Sequence, residues 1–129
     1  MKTSPGFTVT ELLVLFVFFG VIGAVVFGQY QTLASMHRDQ DRKIAVNAMY
    51  YNLQEVAKPK LGGYPRTIKA NSLNAMNPAL LKDPQGLRVG DPKSDYRYEP
   101  TGCNGGDVCT GFTIKTALER EGDFVRSSL

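Results

Sequence analysis

A nearly unbroken apolar run from Leu12 to Phe27 constrains the fold of this 129-residue chain more than any other feature. At 1.5 Å per residue, a helix over this run spans roughly 24 Å, and the flanking segment 7–10 brings it close to the thickness of a bilayer core. A soluble domain of this size has no core large enough to cover such a helix on every side. The run therefore predicts a helix that crosses a membrane or packs against other chains. Lys2 ahead of it favours a cytoplasmic N-terminus.

A single carboxylate, Glu11, stands at the start of the apolar run. A charged side chain at the centre of a spanning helix is penalised by roughly 2.5–3.5 kcal/mol on insertion scales. We therefore expect a chain that keeps Glu11 at this position to provide a partner for its charge.

The residues around Glu11 follow a recognisable order. Gly6-Phe7 is followed by Thr8-Val9-Thr10-Glu11 and then by the apolar run. This start resembles the type IV pilin family, including the pseudopilins of secretion and DNA-uptake machines. The resemblance implies that residues 1–6 are a leader, that a prepilin peptidase cuts after Gly6, and that the new amine of Phe7 is methylated. It also implies that Glu11 meets the N-terminal amine of a neighbouring subunit in a helical homopolymer.

The same resemblance implies a location and a set of partners. The precursor would be a single-pass protein of the bacterial cytoplasmic membrane, and the mature chain would form an extracellular surface filament. An assembly platform and its ATPase motor would build that filament. DNA is a further partner known in the family, but the net charge of +3 and the pI near 8.9 give it no support here.

Three other interpretations of the N-terminus stay open. An ordinary signal peptide would use Lys2 as its basic region and be cut after Gly28, although Glu11 interrupts the place where its apolar region should begin. A pseudopilin of a type II secretion or competence apparatus shares the same start. Major pseudopilins usually carry an acidic calcium loop near the C-terminus, and residues 120–129 lack one, which favours a pilus. A monomeric, membrane-anchored binding module is the alternative from another class.

Residues 7–28 are predicted to form the transmembrane and polymerisation helix. This segment contains Gly20, Gly23 and Gly28, and glycine costs about 1 kcal/mol relative to alanine in a helix interior. Two explanations stay open for these glycines. They allow close packing between helices, or, as in pilins, they allow local melting on assembly.

Residues 29–57 are predicted to continue as an amphipathic helix of the head. The helix would then run unbroken from Phe7 to Ala57 and end at Lys58-Pro59-Lys60 and Leu61-Gly62-Gly63. Apolar residues recur at helical spacing and predict a stripe that packs on a sheet: Leu33, Met36, Ile44, Ala48 and Tyr51, with Ala45, Met49, Leu53 and Val56 beside them. The residues predicted to form the solvated face are Arg38, Asp39, Asp41, Arg42 and Asn52.

Residues 58–129 are predicted to form a loop followed by an antiparallel sheet. Turn formers dominate up to about Gly90, with short helical turns at Asn71–Met76 and Pro78–Leu81. Strand-like runs follow at Tyr96–Tyr98, Phe112–Leu118 and Phe124–Val125, with turns between them. The prediction is therefore a pilin-like α+β fold, in which a long N-terminal α-helix packs on a small antiparallel β-sheet.

The two cysteines, Cys103 and Cys109, bracket a glycine-rich turn. Such a pair suits a disulfide in an exported protein. Free thiols in a cytosolic protein are the alternative. A zinc site is poor on spacing, and Asn104 with Asp107 supply too few ligands for calcium.

No pattern of catalytic residues is visible. The sequence has no Ser/His/Asp arrangement and no phosphate loop, and His37 is expected to be a solvated helix residue. The prediction is a structural protein that is not an enzyme and that has no metal or cofactor.

Overall fold

The computed structural model of the chain describes residues 6–69 and 71–128. The leader prediction therefore lies outside the described residues except at Gly6. The chain divides into two compact units, Met1–Ser35 and Met36–Leu129.

The first unit consists of the apolar part of helix α1, which spans Val9–Asn52 in full. Residues 6–31 are all exposed. The helix is long and apolar enough to cross a membrane, with a mean hydropathy of 2.6 over its most apolar window, none of which is buried. The prediction of a helix of membrane-spanning length and composition is confirmed, although this helix begins at Val9 rather than at Phe7.

The end of the long helix differs from the prediction. After Asn52 the chain makes one π-helical turn, Leu53–Ala57, and then a last α-helical turn, α2, at Lys58–Leu61. The Lys58 N–H donates to the carbonyl of Leu53, five residues back. Because proline has no N–H and its ring clashes with the carbonyl four residues earlier, a widened turn lets the helix pass Pro59. The helix ends instead at Gly62, whose φ of +73° is left-handed.

The head contains two small antiparallel sheets. Strands β2 (Tyr96–Thr101), β4 (Gly111–Thr116) and β5 (Phe124–Ser127) form the larger sheet, with β4 in the centre. Strands β1 (Tyr64–Pro65) and β3 (Val108–Cys109) form a two-stranded ladder. The three predicted strands are confirmed. The β1–β3 ladder was not predicted, because the sequence of β1 indicates an irregular loop and that of β3 indicates a turn.

The core of the head lies between the distal half of α1 and the inner face of β4. In β4, Phe112, Ile114 and Thr116 alternate inward and are almost fully buried. The buried residues of the helix lie on one face, which packs against this sheet and the loop before it: Ala45, Val46, Met49, Leu53 and Ala57. Leu73 and Leu81 from that loop complete the core. Pro78–Leu81 forms the expected helical turn, whereas the prediction of a helical turn at Asn71–Met76 is wrong, since that segment forms only turns and a bend.

The predicted apolar stripe is therefore only half right. The row that includes Ala45, Met49 and Leu53 is buried, whereas Met36, Ile44 and Tyr51 remain about half exposed. The two rows are adjacent on the helix, and the sheet covers only one of them. The α+β fold, with one long helix and small antiparallel sheets, is confirmed.

The predicted solvated face was wrong at three of its five positions. Asp39, Arg42 and Asn52 are each only 5% exposed. Asn52 faces the backbone amides of Ala75 and Met76 and can accept hydrogen bonds from both. Asp39 and Arg42 are buried because they contact residues 119–120, between β4 and β5, and Asp95, directly before β2.

Candidate functional site

Thr8 and Glu11 form a reciprocal cap at the start of α1. The Glu11 carboxylate accepts from both the N–H and the hydroxyl of Thr8, each at 2.8 Å. The Thr8 hydroxyl in turn accepts from the Glu11 N–H at 3.3 Å. This is a capping box, in which two helix-terminal N–H groups are satisfied by side chains. The carboxylate therefore has a polar partner within its own chain.

The residues next to the cap are exposed. Gly6 and Phe7 precede the helix without regular structure, and the Phe7 side chain is 78% exposed. The aromatic and aliphatic side chains from Leu12 to Phe27 are exposed on every side of the helix. The first unit thus presents the predicted processing junction, a carboxylate and an apolar surface within one short segment.

Gly20, Gly23 and Gly28 all lie inside the regular helix. A Cβ atom built on any of them meets nothing within 4 Å. These glycines are therefore not required by the fold of the isolated chain. Close packing with another helix and local melting on assembly both stay predictions.

Cys103 and Cys109 are joined in a disulfide, as predicted. The bridge lies at the base of the loop between β2 and β4, and Cys109 is itself part of β3. Gly63 lies close behind it, where an added Cβ would be 2.7 Å from the carbonyl oxygen of Cys109. The bridge therefore joins β3, and through it β1, to the larger sheet.

Replacing both cysteines by serine should lower the free energy of unfolding of the head by roughly 2 kcal/mol, the value expected for so short a ring. Thermal unfolding of the full mature chain in neutral detergent measures this loss. The matched control is Ser128→Ala, because its hydroxyl also joins strand ends, by accepting from the Phe112 N–H at 3.1 Å, without a covalent link. A cysteine-free variant as stable as wild type would show that the bridge contributes nothing to the folded head.

A cluster of ion pairs joins the helix to the segment between β4 and β5 and to Asp95, which directly precedes β2. One nitrogen of Arg42, Nη1, lies 3.0 Å from Asp39 and 2.9 Å from Glu119, and Nη2 lies 2.9 Å from Asp95. Arg38 forms a fork on Glu119 with two contacts of 2.7 Å. We call these five residues the acid–arginine cluster.

Backbone groups complete the acid–arginine cluster. The Asp39 carboxylate accepts from the N–H of Glu119 at 2.8 Å and from the N–H of Arg120 at 3.0 Å. Burial opposes its charged form, but these two amides and the Arg42 guanidinium outweigh burial and hold the pKa of Asp39 below its usual range. Hydrogen bonds from Arg38 and Arg42 lower the pKa of Glu119 to about 2. Asp39 and Glu119 are thus charged at neutral pH.

The acid–arginine cluster was missed because its sequence signal is ambiguous. Asp39 and Arg42 are three residues apart on a helix, the spacing of an ordinary exposed ion pair. Their partners are 53 to 81 residues away, and nothing in the sequence links them. The cluster fastens the sheet to the helix.

Among residues 6–69 and 71–128, no group of three or more His, Cys, Asp or Glu side chains is arranged to hold a metal ion. His37 lies exposed on α1. The expectation of a non-enzymatic protein without cofactors stays a prediction.

Comparison with known proteins adds no family assignment: no protein-family model, no curated protein and no solved structure matches this chain.

Proposed function

We propose that this chain is the structural subunit of a type IV pilus-like filament. In this proposal the chain is cleaved after Gly6, methylated at Phe7 and polymerised through its apolar helix. The observation that carries the proposal is the first unit, in which Glu11 opens an apolar helix exposed on all sides. Such a surface needs lipid before assembly and other apolar helices afterwards.

The head offers a second apolar surface. Met36, Ile44 and Tyr51 lie on the row of α1 that the sheet leaves uncovered, and they are 52%, 48% and 60% exposed. An exposed apolar row on the surface of a head is typical of a contact with another chain. The filament proposal gives this row a use, since neighbouring subunits would pack on it.

The processing step is tested by the intact mass of the protein from its native host. We expect a mature chain that begins at Phe7 and carries one methyl group. The physical basis is the position of the Gly6-Phe7 junction, which is exposed and outside the helix. Substituting Gly6→Leu should block cleavage, whereas Ser4→Leu in the same leader should not. A chain that keeps residues 1–6, or that starts after Gly28, would contradict the proposal.

One observation favours a second candidate, a monomeric membrane-anchored module. Because Thr8 already donates two hydrogen bonds to one oxygen of the Glu11 carboxylate, the group has a polar partner without a neighbouring chain. Electron microscopy of material sheared from the cell surface separates the two functions. Filaments containing this chain support the pilus, and their absence at a normal membrane level of mature chain supports the anchored module.

A further inference from the structure

A cavity of about 310 Å³ lies in the loop region of the head. Its walls are mainly apolar and include the buried side chains of Leu81 and Val89. Three exposed cations, Lys69, Lys82 and Arg88, also line it. The residues that line the cavity are therefore mainly apolar, with three cations among them.

Lys82 and Arg88 lie directly opposite each other in an antiparallel β-bridge. The Val89 N–H donates to the Leu81 carbonyl at 2.8 Å, which fixes this register. Side chains directly opposite in an antiparallel pair project on the same face. Two like charges in this arrangement repel each other, so the hairpin carries a cost that a bound anion would remove.

None of the three cations Lys69, Lys82 and Arg88 forms a salt bridge within the part of the chain that the structure describes. The adjacent Asp83 is buried, and its two oxygens accept four hydrogen bonds: from the N–H groups of Gln85, Leu87 and Asp95 and from the Ser94 hydroxyl. The segment 56–82 contains no acidic residue at all.

We propose that this cavity binds a small amphiphilic anion, that is, a phosphate or carboxylate group carried on a compact apolar group. The volume lies at the lower end of the range for small-molecule sites, which excludes a large ligand. The apolar wall favours a ligand with an apolar part over a hydrated inorganic ion, and the three cations supply the complementary charge. The proposal does not depend on filament formation.

The test uses the full mature chain, labelled with ¹⁵N, in a neutral detergent. Phenyl phosphate is titrated while the amide resonances of Lys69, Leu81 and Val89 are followed. We expect saturable shifts at these amides, with inorganic phosphate binding at least about tenfold more weakly and benzyltrimethylammonium giving no shift. A parallel titration with benzoate shows whether the site prefers a carboxylate or a phosphate group. Saturable binding of benzoate or of phenyl phosphate supports the site.

Charge-matched variants separate the site from general charge attraction. Lys82→Gln with Arg88→Gln should weaken phenyl phosphate binding about tenfold, because two of the three cations that line the cavity are lost. Lys93→Gln with Arg97→Gln removes the same charge outside the cavity and should leave the affinity unchanged. Equal weakening in both variants, or inorganic phosphate binding as tightly as phenyl phosphate, would overturn the proposal.

Thermal unfolding without ligand gives a second, independent reading. Since the Lys82/Arg88 variant removes a repulsion, we expect it to melt at or slightly above the wild-type temperature. If this variant melted below wild type, Lys82 and Arg88 would not repel each other in the folded chain, and the reason for inferring the site would be lost.

Discussion

Arg42→Met should destabilise the head by about 3–5 kcal/mol, the usual cost of removing one partner from a buried ion pair. Arg42 is 5% exposed and contacts three carboxylates. Methionine keeps much of the volume but leaves Asp39 buried without a cation. Because a small domain is stable by only about 5–15 kcal/mol, a loss of this size is a large share of the total. Urea unfolding of the full mature chain, followed by tyrosine fluorescence, measures it.

The matched control for Arg42→Met is Lys43→Met. Lys43 is the next residue on the same helix and pairs with Glu121 at 2.8 Å, but that pair is more exposed, with 27% and 62% of the two side chains accessible. Exposed pairs contribute about 0–1 kcal/mol, so Lys43→Met should change stability little. Arg42→Lys should be intermediate, since lysine keeps the charge but lacks the planar fork. If Arg42→Met and Lys43→Met lowered the free energy of unfolding by the same amount, burial would not strengthen the ion pairs of the cluster.

The parts of the fold that were predicted correctly rest on local periodicity. The apolar run, the two-residue alternation at Phe112, Ile114 and Thr116, and the turn between the cysteines each have a short-range physical cause. Pro59 misled the prediction because a proline normally ends a helix. A π-turn, which has no distinct sequence signal, lets the helix continue to Leu61.

The parts that were missed depend on contacts between distant segments. Helical spacing alone marks both rows of α1 as apolar, and only the position of the sheet decides that Met49 is buried and Ile44 exposed. Asp39 likewise became a buried residue because the N–H groups of Glu119 and Arg120 meet it. The proposed role of Glu11 also depends on a distant contact. Its cap with Thr8 is seen within one chain, but the partner proposed for its charge belongs to a second chain.

Glu11→Ala should still insert and be cleaved after Gly6, yet fail to form filaments. Insertion needs no ion pair, and removing a charge from an apolar segment makes it easier. In the proposed filament, the Glu11 carboxylate would meet the amine of a neighbouring Phe7 among apolar helices. Losing one partner of such a buried pair costs about 3–5 kcal/mol for every subunit that is added. Even a fraction of this free energy should stop the filament from growing. Filament yield by electron microscopy, at matched membrane levels of mature chain, is the measurement.

Two further substitutions separate the inter-subunit pair from the cap seen in the single chain. Glu11→Gln keeps an acceptor for Thr8, as glutamine also serves in a capping box, but removes the charge. Thr8→Ala removes the cap and keeps the charge, at a cost of about 0.5–2 kcal/mol to the helix start. If Glu11 acts through a neighbour's amine, Glu11→Gln fails like Glu11→Ala and Thr8→Ala still assembles. If Glu11 acts only as a cap, the order reverses: Glu11→Gln gives normal filaments and Thr8→Ala is the weaker variant. That reversed order would refute the role of Glu11 in joining subunits while leaving the membrane helix itself unaffected.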